Sequence, residues 1–92
     1  MQNQDPLQVP IERELDLHAF APRDIPSVVE VYIDEAFKAG FTDVRLIHGR
    51  GRGVQRAAVQ RALQQHRLVS EFFDDPRAHL GATIAILTAT AA

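Results

Sequence analysis

Two short stretches of this chain hold residue types that do chemistry on phosphates. The first ends in Leu15-Asp16-Leu17-His18, the second in His48 followed by Gly49, Gly51 and Gly53 alternating with Arg50 and Arg52. Histidine titrates near neutrality and serves as general acid or base. In an extended strand Asp16 and His18 share a face, roughly 6–7 Å apart along the pleat, so the carboxylate can orient an imidazole. Glycines let the backbone take positive φ and approach a ligand closely. A glycine loop that opens onto a helix N-terminus offers free amides and the positive end of the helix dipole to an anion. Arg50, Arg52 and Arg56 add planar guanidinium forks matched to phosphate. The loop is not a Walker sequence, because no Lys-Ser or Lys-Thr follows the glycines. Nor is it a dinucleotide fingerprint, since Arg56 takes the place of the third glycine. The plain alternative is a turn with solvated arginines.

These residues need a scaffold that ends two strands at one edge. Ile11–His18 reads as the first strand, with Ile11, Leu15 and Leu17 on one face and Glu12, Glu14, Asp16 and His18 on the other. Ile25, Val28, Val29, Tyr32, Ile33, Ala36 and Phe37 follow the i, i+3, i+4, i+7 spacing of an amphipathic helix. Asp24 is its expected N-cap and Gly40 its expected C′ residue. Val44–Ile47 is a second strand, and a strand, helix and strand with short links imply parallel pairing. Val54–Arg67 reads as a second helix burying Val54, Ala58, Val59, Ala62 and Leu63, with Arg56, Gln60, Gln64 and Arg67 outward. Leu68–Phe73 and Ala82–Leu87 complete the strands, Phe72 and Phe73 being expected to cap the core. The expected fold is α/β (α+β): a two-layer βαβαββ sandwich with a four-stranded mixed sheet and two helices. Sites in such sheets form beyond the carboxyl ends of parallel strands. His18 and His48 should therefore meet at one edge beside the glycine loop. His66 and His79 have no such company and are expected at the surface.

Composition narrows the partners. Ninety-two residues, 46% hydrophobic and 24% charged, make one small domain. There is no cysteine, which excludes disulfides, thiolate metal sites and a cysteine nucleophile, and suits a reducing cytoplasm. No apolar run approaches the ~20 residues of a membrane span, so no membrane partner is expected. The net charge of −2 hides a division. Residues 1–43 hold nine acids against three bases, whereas residues 44–92 hold seven arginines against three acids. Val44 to Ser70 contains no acid at all. The basic half points to a nucleic-acid backbone. Residues 1–10 are expected to be an arm and 89–92 a frayed tail, leaving 11–88 as the domain, which is expected to be a monomer.

Leu15-Asp16-Leu17-His18, then His48-Gly49-Arg50-Gly51 entering a helix, then Gly81–Leu87 together resemble the small MutS-related (Smr) domain family over residues 11–88. The resemblance implies a βαβαββ fold similar to the C-terminal domain of translation initiation factor three. It also implies nicking of DNA or cleavage of RNA, with relatives that act on branched DNA in repair or at stalled ribosomes. By position, Asp16 and His18 match the family's acid-and-histidine motif, and His48, Gly49 and Gly51 its H-G-x-G loop. Ala19 departs from the family, which usually has glycine there.

Three functions stay open at this level. The first is a phosphodiester endonuclease with Asp16, His18 and His48 as catalytic groups and Gly49, Arg50, Gly51, Arg52, Gly53 and Arg56 on the nucleic acid. One carboxylate and two imidazoles (Asp16, His18, His48) can also form a facial ligand set, for Mg2+ or Mn2+ in such an enzyme. The second is a non-catalytic module that recognises nucleic-acid structure or the ribosome. The third is a protein-interaction domain.

Overall fold

Residues 11–51 and 53–89 are described by the structure, a computed structural model. The expected arm at 1–10, Arg52 and residues 90–92 of the expected tail lie outside them. Four strands and two helices follow in the order β1 (Glu14–Asp16), α1 (Ile25–Lys38), β2 (Asp43–Ile47), α2 (Val54–Gln64), β3 (Val69–Asp74) and β4 (Ala82–Leu87). The sheet order is β1-β2-β4-β3, with β1 and β2 parallel and β4 antiparallel to both its neighbours. This is the expected mixed four-stranded α+β architecture.

The core lies between the sheet and the two helices. Leu17, Val44, Leu46, Ala85 and Leu87 meet Ile25, Val29, Tyr32, Ile33 and Ala36 of α1 and Val59 and Leu63 of α2. All seven apolar positions read from the α1 periodicity belong to this cluster or pack against it. The helix ends as its sequence prescribes. Gly40 takes φ +87°, its amide donates to Phe37 O, and the Phe41 amide donates to Ala36 O. That pair of bonds is a Schellman closure, and it turns Phe41 back against the core. Asp24 occupies the N-cap position without capping through its side chain. A single 3-10 turn, Pro22–Asp24, runs into α1 and holds Asp24 in helical φ/ψ.

Several sequence expectations need correction. β1 is three residues rather than eight, because His18 turns its amide onto the Asp16 carboxylate instead of continuing the ladder. α2 stops at Gln64, three residues early. His66 leaves the helix, accepts the Leu68 amide on Nδ1 and reaches Asp34 of α1 with Nε2 at 3.0 Å, so it is largely buried rather than superficial. Val54, in the first turn of α2, is 63% exposed. Gln60 points inward, as its hydrogen bonds below show. Phe72 packs on the core, but Phe73 falls on the opposite face of β3 and is exposed.

Candidate functional site

Parallel pairing brings the carboxyl ends of β1 and β2 to one edge, where β3 also ends and β4 begins. Asp16 pairs with Ile47, and the Leu17 amide donates to Ile47 O at 2.8 Å. His18 and His48 therefore leave the sheet side by side.

Their fates differ. The Asp16 carboxylate accepts both the His18 amide, at 2.9 Å, and its ring Nδ1–H, at 2.7 Å. These bonds hold the Asp16 carboxyl below the usual carboxylate range. With Nδ1 committed as donor, Nε2 is left as an acceptor. The His18 side chain is 63% exposed. Its Nε2 lies against Gly49, where an added Cβ would stand only 2.9 Å away. Gly49 has φ +82°, so both conformation and space demand glycine.

His48 turns inward and is 4% exposed. Gln60 Nε2 donates to Thr83 Oγ at 3.0 Å, so the hydroxyl proton is free for His48 Nε2, 2.9 Å away. His48 Nδ1–H then donates to Gly49 O at 3.0 Å. Burial pushes the His48 pKa below its ordinary value, against the bond to Gly49. Both ring nitrogens are used inside the protein, which corrects the expectation that His48 reaches substrate as a catalytic group. The same geometry removes the Asp16, His18 and His48 ligand set. Among the described residues, no group of three or more His, Asp or Glu side chains is gathered to hold a metal ion.

The loop after His48 is pinned from behind. Gly81 O accepts the amides of His48, at 3.0 Å, and of Gly49, at 2.9 Å. Gly51 and Gly53 also take positive φ, and Gly53, as N-cap, opens α2 with no side chain capping its amides. Arg50 is exposed, with its stem against Gly81. Arg56 is instead paired: Nε and Nη2 bind the two oxygens of Asp74, each at 2.7 Å. Asp74 also accepts from Gln60 at 3.0 Å, which joins Arg56 to the His48 network. Ala19 has ordinary backbone, since among the described residues only His79 and Leu80 combine a side chain with positive φ. Thr83, Gln60, Asp74 and Gly81 had no site role in the sequence reading. Thr83 alone carried a signal there, as a polar residue among inward-facing apolar ones on β4.

A model of the Smr domain matches residues 15–88. The chain belongs to the Smr family. Over 62 residues, 67% of the chain, this Smr domain is 45% identical to the endonuclease MutS2 of Pelotomaculum thermopropionicum. It is 44% identical over 62 residues to that of Geobacillus thermodenitrificans. The match spans only 8% of the length of either relative. Among solved structures, the Smr domain of Thermus thermophilus MutS2 superposes with a TM-score of 0.78 at 31% identity, covering 83% of this chain and 98% of that one. YdaL, a stand-alone small MutS-related protein of Escherichia coli, superposes with a TM-score of 0.75 at 26% identity over 85% of this chain and 66% of its own. No helix among the described residues is long and apolar enough to cross a membrane.

Proposed function

We propose that this Smr domain is an endonuclease that cuts the phosphodiester backbone of a nucleic acid, with His18 as its acid–base group. The observation that carries this reading is the Asp16–His18 pair, which leaves the second nitrogen of an exposed imidazole beside the Gly49 loop. The relatives named as endonucleases support it.

His18 Nε2 takes the proton of the attacking hydroxyl or water as the new P–O bond forms. Asp16 stabilises the resulting imidazolium, which returns the proton to the departing oxygen or to solvent. The loop from Gly49 to Gly53, with Arg50 and Arg52, holds the phosphate, and the positive end of α2 opposes charge building on its oxygens. His48 positions this loop through Gly49 O rather than touching substrate. Mg2+ and Mn2+ take no part in these steps, because the side chains of the described residues do not assemble a ligand set.

The test compares wild type with Asp16→Asn and His18→Ala on supercoiled plasmid and structured RNA, each with magnesium, with manganese and with chelator. Each variant should cleave ~10²–10⁴-fold more slowly while binding persists. A wild-type domain that binds but never cuts would be a recognition module instead. Cleavage unchanged in His18→Ala would refute the assignment of that residue.

A further inference from the structure

The turn between β3 and β4 reaches the same edge, and the mechanism above makes no use of its tip. Ala78, His79, Leu80 and Gly81 form a tight turn closed by the Gly81 amide on Ala78 O at 2.8 Å. Its two central residues take φ +49° and +70°, a left-handed pair that normally requires glycine or asparagine. Two side chains are thus carried at a conformational cost where glycine would carry none. One of them is leucine, with 53% of its surface in water. The turn cannot drift from the site, because Gly81 O holds the amides of His48 and Gly49. Gly81 also lies against Arg50, whose Cγ would be 3.4 Å from an added Cβ. An exposed apolar side chain on a pinned turn therefore stands one residue from the anchor of the phosphate loop.

We infer that Leu80 is a wedge that enters the base stack beside the phosphate held by the Gly49 loop, so that strands with an already broken stack bind best. This rests on the nucleic-acid reading above and adds to it the residue that selects among substrates. Apolar side chains inserted between base steps unstack them, and the cost is least where stacking is already interrupted. Phosphate contacts from Arg50 set the register, and Leu80 reads the neighbouring step.

The experiment uses the whole chain and a gapped DNA duplex carrying 2-aminopurine at successive positions around the gap. This base fluoresces more strongly when unstacked. Wild type should raise the signal at one position, and Leu80→Phe, which keeps an apolar wedge, should do the same. Leu80→Asn should abolish the rise and weaken binding about tenfold, the scale of one lost base contact. Asparagine accepts the left-handed backbone, so the variant should melt no lower than wild type. Val31→Asn, which removes an exposed apolar side chain from α1, should leave signal and affinity unchanged. A full signal with Leu80→Asn, or no rise at any position despite tight wild-type binding, would overturn the wedge and leave the nuclease reading standing. No binding to any nucleic acid would remove both.

Discussion

Gly49→Ala separates the site from the fold more sharply than any change to a charged residue. An alanine at φ +82° carries the left-handed penalty, ~1–2 kcal/mol. For a domain of this size each kcal/mol is ~4–8 °C, so the melting temperature should fall by about 4–16 °C. The new Cβ would also stand 2.9 Å from His18 Nε2. Restoring ordinary contact moves the ring by roughly 0.5–1 Å. His18 is an exposed side chain and gives way at little further cost in stability, but its reactive nitrogen leaves the loop. A displacement of that size costs up to ~10²-fold in rate. The matched control is Gly40→Ala at the end of α1, with φ +87° and nothing within 4 Å of the added Cβ. Both variants should melt lower by similar amounts, and only Gly49→Ala should lose kcat. The assay is single-turnover cleavage below the melting range, with melting followed by circular dichroism. Wild-type kcat in Gly49→Ala, or an equal loss in Gly40→Ala, would refute the coupling between His18 and this glycine.

Acid should weaken the domain in a defined window. The folded state holds His48 neutral with a depressed pKa, so the unfolded chain takes up the proton first as pH falls. Stability from neutral His48 is complete above about pH 6.5 and is lost progressively below it. Melting temperatures between pH 8 and pH 5 should show that loss, and His48→Gln should flatten it. Asp16, Asp74 and Asp75, whose pKa values are lowered by their partners, weaken the fold only at more acidic pH. Arg50→Ala should reduce the salt dependence of nucleic-acid binding by about one unit without lowering the melting temperature. Arg56→Ala strips Asp74 of its bidentate partner and should lower the melting temperature, read by the same scan. Leu17→Ala, in the core, should cost ~2–5 kcal/mol in denaturant unfolding.

The parts of this molecule that local periodicity controls were legible in the sequence. α1 buries the stripe its spacing predicts, and β4 spans the six residues expected of it. Asp16 and His18 fall on one pleat face and bond there. The inward turn of His48 was also legible in principle. It has the parity of Val44 and Leu46, both buried, so the strand alternation continues through it into the core. Its chemical type drew attention away from that pattern. Other features depend on partners far along the chain, and no local signal carries them. Arg56 meets Asp74 eighteen residues later, and His66 meets Asp34 of α1. Reading Phe72 and Phe73 as one cap overlooked the alternation of β3, which sends them to opposite faces.

β1 is an edge strand of three residues that pairs only with β2, yet it ends on the acid, and the imidazole that completes the pair follows two residues later. It is further anchored by the buried Leu17 side chain, by Leu15 packed on the core, by the Arg45–Glu14 ion pair and by the Tyr32 hydroxyl donating to Glu12 O. Short edges open independently of the body of a domain. Amide exchange should therefore be faster at Leu15 and Leu17 than in β4, which has a neighbour on each side. Heat should consequently silence the dyad before the rest of the sheet comes apart, and a nucleic acid bound across this edge should slow exchange there first.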